Sequence, residues 1–504
     1  MILSQIFNIR LNPTLINKDK SKKLGQYFTS IKIAKYMANM ISSEEVSSLD
    51  KQVRILDAGA GEGILAISAV LECVSLGFKN IHLTLYEVDP DLIMHLQKQI
   101  EMLYTLKQLK TIHFEFEILN LDFILNRPDK NKNFLPFDIC IINPPYFKYS
   151  VQKSPYSKAT ADLFKGDPNI YASFMATCIS YLKEDGQLIA ITPRSFTNGL
   201  YFKGLRHYLS AVSSLDRIHI FKSRNKLFKD SSVLQENIIF KLTKKQQSQN
   251  ILIIASDSDK DIENGKMKSY DSSFIFDKTN ELRIIHIPEN ENDALIMQQA
   301  NTLKSNFSDS GYHISTGPVV EHRTRKYIVE SINIKENIVP LLRPHNVRLM
   351  NTVWSGKHKK DVMFISSQDS DKHLLANKTY VLLKRFSSKD EKKRLTAGVY
   401  TPVGKSRVIG FGNKLNYISL KDSAFEADEA FGLAAVLNST FMDSYFRCFS
   451  GNTQVNATEI RIMKFPTRNI ICQIGRELVK KNITQGIIDK IVMENLFSSK
   501  EIDK

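Results

Sequence analysis

The 504-residue sequence has few cysteines and no membrane or export signal. Its five cysteines form no Cys-x-x-Cys pair. Their scattered positions argue against a zinc site or a disulfide framework and fit a reducing cytosol. The N-terminus lacks the basic start and long apolar region of a signal peptide, and no uninterrupted apolar run is long enough to span a bilayer. We therefore expect a cytoplasmic protein without a metal site.

The composition is that of a globular protein, with 42% apolar and 24% charged residues. A chain of 504 residues is too long for one ordinary core, so two or three domains are expected.

The positive charge is concentrated in one segment. The chain carries 69 basic and 53 acidic residues, a net charge of +16, and residues 311–420 contain 20 basic and 8 acidic residues, a net +12. Such a segment is either a solvated, lysine-rich face or an electrostatic footprint for phosphates. Charge alone favours the two interpretations equally.

The first half of the chain alternates short apolar runs with stretches of helical periodicity. Runs at 53–58, 81–88, 114–123, 137–143 and 187–193 read as strands, and segments at 64–76, 91–106 and 171–182 read as helices. This alternation predicts a parallel sheet that is covered on both faces and binds its ligand at the carboxyl ends of the strands.

Acidic residues stand at three successive predicted strand ends. Each alone is typical of an ordinary turn, but together they predict one pocket. The glycine-rich turn after the first strand lacks the Gly-Lys-Ser/Thr of a phosphate-binding loop, and its leading carboxylate suits a cation. A carboxylate after the second strand can accept both ribose hydroxyls of a nucleoside, and an Asp-Phe pair after the third can bind adenine. We therefore predict an S-adenosylmethionine pocket that contains Asp57, Gly59, Gly61, Glu87, Val88, Asp122 and Phe123.

The fourth strand ends in Asn143, Pro144, Pro145 and Tyr146, which resemble the catalytic motif of amino-methyltransferases. Two prolines fix φ and remove backbone donors, so the loop is stiff. The resemblance implies that the Asn143 amide oxygen and the Pro144 carbonyl accept the hydrogens of an exocyclic amine, while Tyr146 stacks on the base. A DNA base must then leave the duplex before it reacts.

The stretch 24–41 lies upstream of the glycine turn. It resembles the loop and helix that cover the methionine end of the cofactor in gamma-group adenine-N6 DNA methyltransferases, the TaqI group. The match adds Gln26, Tyr27, Phe28 and Thr29 to the cofactor site. Without the resemblance, this stretch is an amphipathic helix with Thr29 or Ser30 as its N-cap.

In the same group a downstream aromatic residue stacks on the other face of the flipped base. Phe228 is the best match, ahead of Phe221 and Phe240, and the alternative is that Phe228 is a core residue.

The resemblance implies an α/β fold: a Rossmann-like class I methyltransferase domain with a mostly parallel, seven-stranded sheet, followed by an α+β target-recognition domain. We predict a catalytic domain at 1–250, a boundary region at 251–310, a DNA target-recognition domain at 311–470 and a tail at 471–504. Pieces at 227–240, 315–323, 384–400 and 450–461 resemble the PstI and BsuBI methylases, which implies adenine methylation in CTGCAG by a bacterial modification enzyme. We expect the protein to act on double-stranded DNA as a monomer. We also expect a separately encoded nuclease.

Candidate DNA contacts come from the basic run and from a later polar loop. They are Lys384, Arg385, Lys392, Lys393, Arg394, Asn452 and Gln454. The loop residues could equally cap the helix-like segment before them.

Other amine targets remain open: cytosine N4, an RNA base, or glutamine in a release factor. A DNA-binding protein with an inactive catalytic fold is a third possibility. The intact Asn-Pro-Pro-Tyr motif argues against inactivity, and the basic C-terminal half argues against the glutamine methylases, which resemble shorter chains.

Overall fold

The computed structural model describes most of the chain. The described residues are 29–42, 52–132, 134–150, 154–165, 169–221, 236–276, 281–288, 290–330, 337–387, 391–404, 406–421, 423–450, 454–479 and 481–497.

The chain divides into two compact units, Met1–Glu289 and Asn290–Lys504. The predicted boundary at residue 250 was therefore placed too early. Two further strands, at 250–256 and 266–271, continue the sheet of the first unit instead of leaving it. Residues 251–289 belong to the catalytic unit for that reason.

The first unit contains one sheet of nine strands in the order β3-β2-β1-β4-β5-β7-β6-β8-β9. Five of its neighbouring pairs are parallel, and β5–β7, β6–β7 and β8–β9 are antiparallel. The mostly parallel sheet was predicted, but the seven-strand count omitted β8 and β9. The strands are β1 Gln52–Asp57, β2 Asn80–Tyr86, β3 His113–Leu119, β4 Phe137–Ile142, β5 Leu182–Pro193, β6 Ser214–Phe221, β7 Asn237–Thr243, β8 Asn250–Ser256 and β9 Lys266–Asp271.

Helices cover both faces of this sheet, which explains why its central strands carry apolar residues that face both sides. Every residue of β4 is buried. Ile139 and Ile141 join the core on one face, whereas Cys140 and Ile142 join the core on the other. The helices of this unit within the described residues are α1 Ile31–Ala38, α2 Ile64–Ser75, α3 Pro90–Glu101, α4 Pro155–Ala159, α5 Ile170–Tyr181, α6 Lys203–Val212 and α7 Ser272–Ile275.

The second unit combines short strands with helices. Its sheets have six strands (β11-β21-β18-β19-β15-β14), five strands (β12-β16-β13-β20-β17) and two strands (β10-β22). The strands are β10 Ser305–Asn306, β11 Tyr312–Thr316, β12 Ile328–Val329, β13 Ile338–Leu342, β14 Val347–Arg348, β15 Met350–Thr352, β16 Val362–Ile365, β17 Leu375–Ala376, β18 Tyr380–Lys384, β19 Ala397–Tyr400, β20 Val408–Phe411, β21 Leu415–Leu420 and β22 Lys464–Phe465.

The end of the chain is part of this second unit and not a tail. The helices of the second unit within the described residues are α8 Glu291–Asn301, α9 Ala427–Asn438, α10 Thr440–Phe449, α11 Ala457–Ile462, α12 Arg468–Leu478 and α13 Gln485–Phe497. Helices α9 and α12 meet at two glycines. A Cβ on Gly432 would lie 1.8 Å from the Ile471 carbonyl oxygen, and one on Gly475 would lie 1.7 Å from that of Asp428. This close approach makes residues 468–478 an integral part of the core.

Among the helices of the described residues, none has the length and apolar character needed to cross a membrane.

Candidate active site

The glycine turn after β1 is held by the strand beside it. Gly61 has φ 55° and Gly63 has φ 82°, in the left-handed region that favours glycine. A Cβ on Gly63 would lie 2.6 Å from Leu96 Cδ1, so the turn also needs a residue without a side chain. The Ala60 amide donates to the Tyr86 carbonyl at 2.9 Å. Backbone bonds thus fix the turn against the end of β2.

Asp57 is a buried carboxylate with one orphaned oxygen. Its Oδ1 accepts a long hydrogen bond from the Gly59 amide at 3.5 Å. Its Oδ2 is buried and has no hydrogen-bond partner within the described residues. Burial raises the pKa of Asp57 to about 7, against the opposing effect of the nearby Gly59 and Ala66 amides, and the Glu87 charge raises it further. A buried carboxylate with an unsatisfied oxygen favours a cation as its ligand.

Glu87 ties the glycine turn to the end of β2. Its Oε2 accepts from the Gly61 amide at 2.8 Å, and its Oε1 accepts from the Asp89 amide at 2.8 Å. Burial raises the pKa of Glu87, partly offset by these hydrogen bonds. A carboxylate has about four acceptor positions, so two bonds leave capacity for hydroxyl donors. The neighbouring Val88 side chain is 43% exposed and offers an apolar surface beside these acceptors.

Asp122 closes the turn that follows β3. Its Oδ1 accepts from the Ile124 and Leu125 amides at 2.9 and 3.0 Å. Its Oδ2 accepts from the Tyr156 hydroxyl at 2.7 Å. Tyr156 was not identified from the sequence, although Ser154 and Pro155 mark the start of the helix that carries it. The structure thereby connects Asp122, a predicted cofactor-site residue, with the segment that follows the Asn-Pro-Pro-Tyr motif.

Phe123 lies in the core instead of on an open pocket wall. Its ring is 1% exposed and packs against Tyr86, with ring centroids 5.1 Å apart in an edge contact. Stacking of Phe123 beside an adenine, as the sequence predicted, would require this ring to turn out of the core.

The amide of Asn143 is held at both ends. Its Nδ2 donates to Thr29 Oγ1 at 3.0 Å, and its Oδ1 accepts from the Tyr146 hydroxyl at 2.8 Å. Ser30, not Thr29, caps helix α1, so the Thr29 hydroxyl is available to Asn143. Both partners are hydroxyls, and the Tyr146 hydroxyl has one hydrogen to share between Asn143 Oδ1 and the Ile191 carbonyl. Thr29 was predicted to contact the cofactor, and its contact with Asn143 was not predicted.

The other motif residues pack next to Asn143 in a stiff loop. Pro144 is buried, whereas Pro145 and Tyr146 are half-buried. The Tyr146 hydroxyl lies 3.1 Å from the Ile191 carbonyl of β5 as well as 2.8 Å from Asn143. Its ring makes an edge contact with Tyr171, with centroids 6.1 Å apart. The role of the hydroxyl was not apparent from the sequence, which predicted only a stacking ring.

Five predicted site residues lie outside the described residues. They are Gln26, Tyr27, Phe28, Phe228 and Asn452. Their assigned roles stay predictions.

The basic run of the second unit is partly used inside the protein. Lys392 is exposed and Lys384 is half-buried. The half-buried Arg385 donates to the Asn413 carbonyl at 3.0 Å and to Gln454 Oε1 at 3.2 Å. The structure thus joins two of the predicted DNA contacts, Arg385 and Gln454, to each other.

Arg394 and Lys393 serve the fold of the second unit. Arg394 is fully buried, and its guanidinium donates to Ser387 Oγ at 3.0 Å and to the Ser450 carbonyl at 3.2 Å. The prediction that Arg394 contacts DNA is therefore wrong, because its charge is enclosed by protein. The half-buried Lys393 donates to the Asn438 carbonyl and to Gln485 Oε1, so its ammonium is also engaged internally.

One group of metal-ligating side chains occurs in the described part of the chain. His345, His358 and Asp361 each place a ligand atom within 4.8 Å of the others. The two imidazole rings are stacked, with centroids 4.6 Å apart and an angle of 24°. Their lone pairs lie in nearly parallel planes and do not converge on one ion. We interpret the group as a hydrogen-bonded cluster in which Asp361 Oδ1 accepts from His345 Nε2 at 2.8 Å.

Comparison with known proteins identifies relatives along nearly the whole chain. A model of the Eco57I restriction-modification methylase family matches residues 15–228. The type II methyltransferase M.PstI of Providencia stuartii is 33% identical over 493 residues, which cover 96% of this chain and 95% of that protein. The type II methyltransferase M.BsuBI of Bacillus subtilis is 33% identical over 509 residues, which cover 98% and 97%.

The solved structure of the type IIL restriction-modification enzyme MmeI in complex with DNA superposes with a TM-score of 0.52. The match covers 98% of this chain and 74% of that one at 12% identity, so it concerns the fold alone. The near full-length relatives decide the family. The chain belongs to the type II restriction-modification DNA methyltransferases, which use S-adenosylmethionine as methyl donor.

Proposed function

We propose that this protein transfers a methyl group to the N6 amine of an adenine that has been flipped out of double-stranded DNA. It acts as the modification enzyme of a restriction-modification system, with CTGCAG as the proposed site. The proposed site rests on the resemblance to the PstI and BsuBI methylases. The enzyme is proposed to act as a monomer, beside a separately encoded nuclease.

The observation that carries this proposal is the fixed amide of Asn143. Thr29 accepts from Nδ2 while the Tyr146 hydroxyl donates to Oδ1. Oδ1 is therefore already positioned to accept a hydrogen from a donor. An adenine amine is such a donor, and its N–H would take the position that the Tyr146 hydroxyl holds in this structure.

The residues of the motif would raise the reactivity of a poor nucleophile. The lone pair of an exocyclic amine is delocalised into the ring. Acceptance of its two hydrogens by Asn143 Oδ1 and the Pro144 carbonyl would localise that lone pair on nitrogen and direct it. When bound, S-adenosylmethionine supplies a methyl group whose bond to the sulfonium sulfur breaks as the new nitrogen–carbon bond forms. An amide oxygen is too weak a base to keep the extra proton, which leaves to water.

The cofactor residues fit a cationic nucleoside. The orphaned Asp57 Oδ2 matches a positive group, and the spare acceptor capacity of Glu87 matches ribose hydroxyls. Asp122, tied to Tyr156, is the proposed partner of the adenine ring. Gly59 and Gly61 are proposed to let the backbone approach the cofactor.

The second unit is proposed to recognise the DNA target. Lys384, Arg385, Lys392 and Gln454 remain the candidate contacts there, now without Arg394. Lys392 is the exposed cation of the basic run and suits a phosphate.

The test is to express the protein in a bacterial strain without DNA methylation and to sequence its genome by a method that distinguishes modified bases. We expect N6-methyladenine at one palindromic site in every copy, and none with the Asn143→Ala variant. Hydrolysis of the same DNA and mass spectrometry of its nucleosides identify the base. N4-methylcytosine, or unmodified DNA together with methylated RNA or protein, would contradict the proposal.

A further inference from the structure

Two exposed residues, Leu200 and Tyr201, form an apolar tip near the loop that begins with the Asn-Pro-Pro-Tyr motif and continues to Lys148. After β5 the chain forms a short turn, Leu200–Phe202, at the carboxyl edge of the sheet. Leu200 is 43% exposed and Tyr201 is 60% exposed. Adjacent exposed apolar residues can contribute to an interaction surface.

The tip is anchored from below. Phe202 is 8% exposed and stacks on the buried ring of Tyr171, with centroids 5.3 Å apart and an angle of 26°. Tyr171 in turn contacts the Tyr146 ring of the motif. The tip and the Asn-Pro-Pro-Tyr loop therefore pack against the same aromatic cluster.

A buried cation holds the turn that leads to the tip. Arg206 Nη1 donates to the Phe196 carbonyl at 2.9 Å and to the Gly199 carbonyl at 2.7 Å. Arg206 Nε donates to the Leu282 carbonyl at 2.8 Å. A Cβ on Gly199 would lie 2.7 Å from the Ser195 carbonyl oxygen, so the turn is closely packed. The turn that carries Leu200 and Tyr201 is thus held in place by these contacts.

The tip lies close to a cation of the catalytic loop. Lys148, five positions after Asn143, is exposed, and its Nζ lies 5.8 Å from the centroid of the Tyr201 ring. An aromatic face beside an exposed ammonium is complementary to nucleic acid, which offers bases for stacking and phosphates for charge.

We propose that Tyr201, supported by Leu200, enters the DNA duplex at the step from which the target adenine departs. This inference rests on the proposed function. Flipping leaves neighbouring bases without a stacking partner, which is unfavourable. The Tyr201 ring offsets that loss by stacking on the exposed bases, as apolar wedges do in other DNA-binding proteins. Lys148 binds an adjacent phosphate.

The experiment compares Tyr201→Ala with Tyr201→Phe in single-turnover methylation of two duplexes. One has a paired target adenine, and the other has the target adenine opposite an abasic site, where it is unpaired and leaves the duplex more easily. Tyr104→Ala is the matched control, because Tyr104 is a 49% exposed tyrosine at the β3 edge of the same unit. The dissociation constant of S-adenosylmethionine reports whether each variant is folded.

We expect Tyr201→Ala to lower the rate on the paired duplex by about 10-fold or more, as loss of base stacking does. The same variant should regain a rate within about twofold of wild type on the abasic duplex, because opening there costs little. Tyr201→Phe keeps the ring and should behave like wild type, as should Tyr104→Ala.

Three outcomes are decisive. An unchanged rate for Tyr201→Ala on paired DNA would overturn the inference and make Tyr201 an ordinary surface residue. An equal loss on both duplexes would overturn it as well, because the turn would then act only on the structure of the site. Absence of adenine methylation by the wild-type protein would instead refute the proposed function, which separates the two failures.

Discussion

The end of β4 and the basic run at 384–394 are both rich in residues that predict DNA chemistry, but the structure uses them differently. At the end of β4, Asn143 and Tyr146 bond to each other beside Thr29. In the basic run, Arg394 is buried and Lys393 bonds to a main-chain carbonyl, while Lys392 alone of this trio is exposed.

The difference lies in what each sequence pattern specifies. A motif at a strand end fixes geometry, since the carboxyl ends of parallel strands meet at one edge of the sheet. A run of charges fixes only composition, and long cationic side chains often satisfy buried acceptors of their own fold. Position after a predicted strand therefore indicated where a side chain lies in the fold more reliably than charge did.

The largest expected effect is at Asn143. Asn143→Ala should lower single-turnover methyl transfer by about 10³-fold or more, because it removes an acceptor that acts on the reacting amine. Binding of S-adenosylmethionine should change by less than about threefold, since Asn143 is proposed to touch the base. Tritium transfer measures the rate, and calorimetry measures the binding. A normal rate of methyl transfer by Asn143→Ala would mean that the strand-end motif predicts chemistry no better than the basic run does.

Arg394→Ala should destabilise the second unit by about 3 kcal/mol, because it removes a buried cation together with its hydrogen bonds. The urea midpoint of that unit measures the effect. Lys392→Gln is the matched control. It should leave the midpoint unchanged and reduce the salt slope of DNA affinity by about 1. The reverse pattern would show that Arg394 faces the DNA.

Asp57 should make cofactor affinity depend on pH. Its pKa is raised to about 7 by burial, so the carboxyl is ionised above that pH and neutral below it. A cationic ligand prefers the ionised form, and lowering the pH from 8 to 6 should weaken binding by about 10-fold. Asp57→Asn should bind about 10-fold more weakly at pH 8 with a flatter profile. Parallel profiles for the two proteins would exclude this role.

The smallest expected effect is at Thr29. Thr29→Val removes the acceptor for Asn143 Nδ2 and should slow transfer about threefold to fivefold at saturating cofactor, as loss of one hydrogen bond does. Thr29→Ser keeps the hydroxyl and should stay near the wild-type rate. A weaker cofactor affinity for Thr29→Val with an unchanged saturated rate would limit Thr29 to cofactor binding.

Much of the first unit was predictable because β1, β2 and β4 are short runs, mostly apolar, with distinct ends. Asp57, Glu87 and Asn143 all follow such runs, and the structure places them at strand ends as expected. The hydroxyl of Tyr146, the contact of Thr29 with Asn143 and the contact of Tyr156 with Asp122 were not predictable. They join residues 3, 114 and 34 positions apart through side chains that no periodic pattern specifies.

The second unit was less predictable because its strands are short and pair in a different order from the chain. β18 lies between β21 and β19, and β13 lies between β16 and β20. The burial of Arg394 follows from that folding, since its partners Ser387 and Ser450 are brought together only in the finished unit. Strands β8 and β9 fall in the predicted boundary region, and β9 was missed because its sequence is mostly polar and its residues are largely exposed.

The most direct test of the account is a crystal structure of the protein with a target duplex and a non-transferable analogue of S-adenosylmethionine. We predict an extrahelical adenine whose N6 lies about 3 Å from both Asn143 Oδ1 and the Pro144 carbonyl oxygen. An extrahelical base bound elsewhere, or an Asn143 amide that keeps only protein partners while the base is in place, would contradict it.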